Sequence, residues 1–152
     1  MLRILTIAVC FAAAASTASV AQDVDGAIKA RKAHMQLYSH HLGVLGAMAK
    51  GETDYNAELA AAVAGDMAKL TSMMQASYWP PNSDNTAAEN TRLLPAAWEN
   101  MDDILKISQD LGAASANLAA VAGDGLDALR GAMQPVGATC GACHKPYRGP
   151  RN

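Results

Sequence analysis

Five consecutive residues near the C-terminus, Cys140-Gly141-Ala142-Cys143-His144, carry the most specific chemistry in the chain. Positions i and i+3 share one face of a helix. Two thiols at that spacing can therefore join the two vinyl groups of a single porphyrin as thioethers. The histidine that follows then meets the iron from one side as an axial ligand. C-x-x-C-H is the attachment signature of a c-type haem, so one covalent haem c is the expected cofactor. Three other chemistries fit the pattern less well. A thioredoxin-like C-x-x-C follows a strand and opens a helix in a βαβ unit, whereas this pair lies near the end of an all-helical chain. A structural zinc site needs four ligands, and this cluster supplies three with no second cluster elsewhere. A plain disulfide across i and i+3 leaves His144 unexplained.

The third cysteine, Cys10, belongs to a different kind of segment. Met1-Leu2-Arg3 is a short positive start, residues 4–15 are an apolar run, and Ser19-Val20-Ala21 fits a small-x-small cleavage site before Gln22. Residues 1–21 therefore read as a secretory signal peptide, and the apolar run is too short to span a bilayer. A lipoprotein signal on Cys10 is the weaker alternative, because Val9 is large for the residue before a lipidated cysteine. No other segment approaches eighteen uninterrupted apolar residues, so no membrane span is expected. The mature chain, 22–152, has 131 residues, 11 basic and 14 acidic side chains, two cysteines and no phenylalanine. Its negative balance gives no electrostatic case for nucleic-acid binding. An exported protein meets an oxidising, periplasmic compartment where a pair of free thiols does not persist, so something must occupy Cys140 and Cys143.

The elements that must position these groups are all helical. Asp23 or Asp25 caps a first helix over about 24 to 50, with Ile28, Met35, Tyr38, Leu42, Leu45 and Ala49 mostly at three-and-four spacing and Gly51 as its stop. Thr53 or Asp54 caps a second, with Leu59, Val63, Met67, Leu70 and Met74 on one stripe. Pro80-Pro81 and Asn82-Ser83-Asp84-Asn85 make 77–90 a loop. Pro95 suits the first turn of a third helix, which carries Trp98, Met101, Leu105, Leu111, Leu118 and Val121 inward. Gly123 ends it and Asp124 caps a fourth. There Leu126, Leu129, Met133, Val136, Cys140, Cys143 and Tyr147 step by three and four throughout. Pro135 conflicts with this helix and predicts a kink costing roughly 3 kcal/mol if uncompensated. Period-two alternation of β-branched residues is absent. The expected fold is an all-α, antiparallel four-helix bundle in one domain, 22–152, whose Ala-rich faces leave room for a large planar cofactor.

The sequence at this point resembles the class II c-type cytochromes, the cytochrome c′ family. The shared stretches are Ala30-Arg31 with Met35 four residues on, Leu45-Gly46-Ala47-Met48-Ala49-Lys50-Gly51-Glu52, Trp79-Pro80-Pro81, Leu94-Pro95-Ala96-Ala97-Trp98, Met133-Gln134-Pro135-Val136-Gly137, and Cys140 to His144 with Tyr147-Arg148. The resemblance covers 23–148. It implies a four-helix bundle with the haem motif near its C-terminus, Arg31 near a haem propionate, and Arg148 as the basic residue beside the proximal His144. It also implies a choice at the distal face. High-spin members leave the sixth iron position open under an apolar side chain. Low-spin members place a methionine from the first helix on the iron, and Met35 occupies that position. Sequence around Met133-Gln134-Pro135 and Leu45-Gly46-Ala47 resembles the low-spin branch and points to Met35 as sixth ligand; packing over the haem face is its alternative role. His34, His40 and His41 are rival ligands that read as surface or rim histidines. Met48, Met67, Met73, Met74, Met101 and Met133 read as core.

The resemblance implies an electron carrier that transforms no substrate, its iron cycling between Fe(III) and Fe(II). Its alternative is a high-spin protein binding nitric oxide or carbon monoxide at an open distal site. No set of polar distal acid–base residues suggests an enzyme. Redox partner proteins are the expected partners, approaching through basic residues near the motif: Arg130, Lys145, Arg148 and Arg151. Family members often pair through their first two helices, so a homodimer is one of two states to expect.

Overall fold

The computed structural model describes residues 23–150. The signal-peptide reading of 1–21 and the position of Arg151 lie outside the described residues. The elements run α1 (Val24–Lys50), α2 (Ala57–Ser72), a 3-10 turn (Ala76–Tyr78), a one-turn α3 (Ala96–Glu99), α4 (Met101–Val121) and α5 (Leu126–Tyr147). The four long helices form a bundle in which α1 packs on α2, α2 on α4, α4 on α5 and α5 back on α1. Cross-links between distant positions show that neighbours run antiparallel: Tyr38 Oη donates to Leu70 O, Tyr147 Oη to Asp103 Oδ2, and Arg130 Nε to Ala49 O. No helix among the described residues is long and apolar enough to cross a membrane.

Local chemistry accounts for the boundaries. Asp23 Oδ1 accepts from Gly26 N at 2.8 Å and starts α1, while Gly51 ends it in the left-handed region at φ 76°, where a side chain would be strained. α2 begins later than Thr53 or Asp54 predicts, with Asn56 as its cap. The cause is Tyr55. Its hydroxyl donates to Ala122 O at 2.8 Å and accepts from Gly125 N at 3.0 Å, pinning the first turn to the α4–α5 turn. That second contact also replaces Asp124 as the expected cap of α5: Gly125 (φ 135°) is the N-cap and has no side-chain partner of its own. The predicted third helix is broken at Asn100, with α3 before it and α4 after it. α5 runs through both Pro135 and Pro146. Each proline removes a donor for the carbonyl four residues earlier, and those carbonyls belong to exposed Gly131 and Ala142, where water can serve them.

Packing reverses part of the stripe assigned to α2. Ala60, Ala64 and Met67 are fully buried, whereas Leu59 is 47 % and Met74 87 % exposed. Small residues bring the α2 and α4 backbones together and turn the larger side chains outward. At the α2–α4 end this closeness is acute, since a Cβ on Gly123 would stand 3.2 Å from Ala61 Cβ. On α4, Ile104 is buried and Leu105 is exposed, the opposite of the predicted inward position for Leu105.

The core divides in two. One cluster fills the bundle around Tyr38, Leu45, Met48, Met67, Leu118, Leu129 and Val136. A smaller one, around Leu93, Ala97, Ile104 and Tyr147, closes the end where α5 finishes. Ser115, fully buried on α4, has a hydroxyl with no partner among the described residues. An orphaned polar group is a net cost to the fold. Ser115→Ala is therefore expected to raise the unfolding free energy, by about 1 kcal/mol; a fall in chemical-denaturation stability would contradict it.

Candidate haem site

Cys140 and Cys143 are both free and half-buried on the inner seam of α5. Cys140 packs against the large cluster and Cys143 against the small one, so the two sulfurs straddle the junction of the two cores. Burial pushes both thiols above their ordinary value, and for Cys143 the nearby Asp103 carboxylate adds to the rise. Protonated, shielded thiols differ from the acidic nucleophile of a dithiol redox motif. His144 is half-buried one residue on. Burial first, then the charges of Arg148 and Arg92, hold its pKa down and keep the imidazole neutral, the form that binds a metal.

The end of α5 is held firmly. Tyr147 Oη donates to Asp103 Oδ2 at 2.6 Å, which pushes the phenol up to about 12. Beyond it, Leu94 N donates to Tyr147 O at 3.0 Å, Gly149 N to Arg92 O at 2.8 Å, and Leu93 pairs with Arg148 in an isolated antiparallel bridge. Arg92 Nε donates to Gly149 O and Pro150 O, and its Nη2 also reaches Gly149 O.

On α1, Met35 is half-buried against the large cluster, one turn after Arg31. Arg31 is 7 % exposed, and its guanidinium serves the loop. Nη1 donates to Tyr78 O and Ser83 Oγ, both at 3.1 Å; Nη2 donates to Ser83 O at 2.8 Å and Thr91 Oγ1 at 3.0 Å. The cation also stands 4.9 Å from the centre of the Trp79 ring. Only Nε–H lacks a partner, and no carboxylate pairs with the charge among the described residues.

Several positions differ from their sequence-based expectation. His34 is buried, not at the rim: its ring meets Tyr38 edge-on at 4.5 Å, lies 5.7 Å from Tyr78, and approaches Gln75 Nε2 at 3.4 Å. His40 is exposed and His41 half-buried, as expected. Arg130 is removed from the basic group around the motif. It lies about 21 Å along α5 from His144 by helical rise, where it contacts Ala49 O at 2.7 Å and Asp127. Arg92 joins Lys145 and Arg148 instead. It is a loop residue fifty positions away in sequence, and no local pattern signals it. Met73 and Met74 are exposed rather than core. A shallow groove lined in part by Gly43, Val44, Ala47 and Leu59 lies between α1 and the start of α2.

Asp84 anchors the loop to α3. Its Oδ1 accepts from Thr86 N at 2.9 Å and Thr86 Oγ at 2.6 Å, and its Oδ2 accepts from Trp98 Nε1 at 2.8 Å.

These residues fit a covalent haem. Two shielded thiols at one-turn spacing, a neutral imidazole beside them and a buried cation without an acid are a donor set that matches vinyl groups, an iron and a carboxylate.

Comparison with known proteins agrees. Residues 26–148 match the family described as Cytochrome C′. A curated relative, cytochrome c-554 of Cereibacter sphaeroides, is 40 % identical over 128 residues, covering 84 % of each chain. Cytochrome c′ of the same organism is 33 % identical, covering 90 % of this chain and 91 % of its own. Among solved structures, a cytochrome c′ from Rhodobacter Spheriodes superimposes with a TM-score of 0.82 at 32 % identity, over 85 % of this chain and 99 % of that one.

The loop yields a pH prediction. Its three hydrogen bonds, Thr86 first, hold the Asp84 carboxyl at about 2, below its ordinary 3.8. A depressed folded pKa means fewer bound protons folded than unfolded, so the contribution is complete above the ordinary value and is lost as pH falls toward about 2. Asp84→Asn should lower stability at neutral pH and flatten the acid limb over that window. Denaturation curves of the two proteins that ran parallel from neutral pH to below 2 would refute this.

Proposed function

The chain belongs to the cytochrome c′ family, and from that premise we propose that Cys140 and Cys143 carry the haem thioethers, His144 is the proximal iron ligand and Met35 is the sixth. The protein is a c-type haem electron carrier. Bound haem c supplies one iron that alternates between Fe(III) and Fe(II), so one electron is held and released. The chain's own residues supply the rest. The C-x-x-C spacing fixes the porphyrin covalently at two points. Neutral His144 presents a lone pair, and Arg148 and Arg92 disfavour its protonation. Arg31 offers a haem propionate its unpaired charge and its remaining Nε–H.

The single observation that carries the carrier reading is Met35, a soft thioether on α1 half-buried against the same cluster as Cys140. A thioether favours ferrous iron and raises the potential. Ligands that stay in place on both sides keep reorganisation small. The second reading, nitric oxide or carbon monoxide binding, applies where Met35 only packs over the haem face and leaves the iron open. Residues 1–21 are proposed as a signal peptide that exports the protein to the periplasm, consistent with two thiols that need covalent occupation.

Exported holoprotein, with a mass that places its N-terminus at Gln22, should show in the ferric state the long-wavelength charge-transfer band of a thioether–iron bond. Met35→Ala should abolish that band and open the ferrous protein to carbon monoxide; an unchanged spectrum would eliminate Met35 as ligand. Lys145 and Arg148 are exposed beside the motif, with Arg92 adjacent. Reversing both charges (Lys145→Glu, Arg148→Glu) should slow electron exchange with an acidic redox protein about tenfold at low salt, and the difference should vanish at high salt. Equal stopped-flow rates at low salt would exclude this surface.

A further inference from the structure

Of the four neighbouring helix pairs, α1 and α5 touch least. Direct packing therefore does little to set the separation between the turn bearing Met35 and the turn bearing His144. One irregular segment is tied to both. On one side it grips Arg31, one turn before Met35, through Tyr78 O, Ser83 Oγ, Ser83 O and Thr91 Oγ1. On the other it is stitched to Tyr147, Arg148 and Gly149, just after His144, by the backbone bonds of Arg92 and Leu94 and the Leu93–Arg148 bridge. Between these anchors it is stiffened. Asn85 N donates to Leu93 O at 2.8 Å, and Asp84 is held by Thr86 and Trp98. Ser83 and Asp84 are buried although they lie in a loop.

We propose that residues 78–94 act as a calliper that fixes the distance between the distal and proximal sides of the haem, with Ser83 and Thr91 as positioning residues that work through Arg31. The inference rests on the reading of Met35 as sixth ligand. Both hydroxyls accept from the guanidinium, so neither is needed for thioether formation, and removing them leaves Arg31 and its charge in place. What changes is the grip on Arg31 and, at Thr91, the bond that its Oγ1 accepts from Leu93 N at 3.2 Å within the segment itself. Two terminal N–H groups of a buried cation lose their acceptors, which loosens the segment's hold on the Met35 turn of α1, while Tyr78 O and Ser83 O still accept from the same guanidinium.

The test uses purified holoprotein carrying Thr91→Val, Thr91→Ser, or Ser83→Ala with Thr91→Val. The readouts are the thioether–iron band of the ferric protein and the association rate of carbon monoxide with the ferrous protein. The double variant should lose most of the band and bind carbon monoxide about tenfold faster, with Thr91→Val intermediate. Thr91→Ser, which keeps the acceptor, should match the unmodified protein. Should the double variant fail to fold, the Val and Ser variants at position 91 decide alone. A folded Thr91→Val protein with the band and rate of the parent would overturn the calliper. An unmodified protein without the band would instead refute Met35 ligation. The Val-against-Ser comparison of carbon monoxide rates would then still test the calliper, and equal rates would reject it.

Discussion

A bundle of four helices is open at its ends, and one end here is closed by chain with almost no regular structure. Everything at the haem motif depends on how that closure is made. Arg31 makes it. A guanidinium has five donors in a rigid fork, and four of them are satisfied by one loop while the flat face of the cation lies over Trp79. Burying a charge without a counter-charge is costly unless its hydrogen bonds are met. The loop meets them with neutral oxygens. Among the described residues the charge itself is left without an acid, so an anionic group could approach it without displacing a carboxylate.

The divided core follows from the same requirement. Helices faced with alanine approach closely and bury little bulk, as Ala60, Ala64, Ala122 and Ala132 show. Such faces suit α2 against α4. They cannot also fill the space between α1 and α5, and the two clusters meet at Cys140 and Cys143 instead of merging. A porphyrin tethered at that junction would join them, and the absence of phenylalanine from residues 22–152 is consistent with aromatic bulk supplied from outside the polypeptide.

The sequence was most legible where chemistry is local. Cys140, Cys143 and His144 declare themselves by spacing alone. α5 declares itself by an unbroken three-and-four pattern, and α1 by Asp23 at one end and Gly51 at the other. It was least legible where a distant partner overrode a local signal. Thr53 and Asp54 are good caps, yet Tyr55 is claimed by Ala122 and Gly125, and α2 waits for Asn56. Leu59 looked inward by hydropathy, but close backbone approach rewards the small residue beside it. Arg31 and Arg130 are both helix-borne arginines. Only tertiary contacts reveal that one is buried under a loop and the other ties the far end of α5 to Ala49. His34 was hidden for the same reason, since Gln75 and Tyr78, which cover it beside Tyr38 of its own helix, come from the turn that follows α2.

The choice between carrying an electron and binding a gas need not be encoded at the iron. A methionine sulfur on haem iron is a soft contact held against an alternative in which the side chain merely packs. A hydrogen bond to a buried charged group is worth about 1.5–3 kcal/mol, and each 1.4 kcal/mol is about a factor of ten in an equilibrium. One acceptor on the Arg31 fork is therefore enough to move a ligation equilibrium by roughly one to two orders of magnitude, provided that the strain it relieves is felt at Met35. Loops tolerate substitution far better than a core does. On this reasoning, relatives with the same motif and the same bundle could differ in iron coordination through residues such as Ser83 and Thr91, which need touch neither the porphyrin nor its ligands.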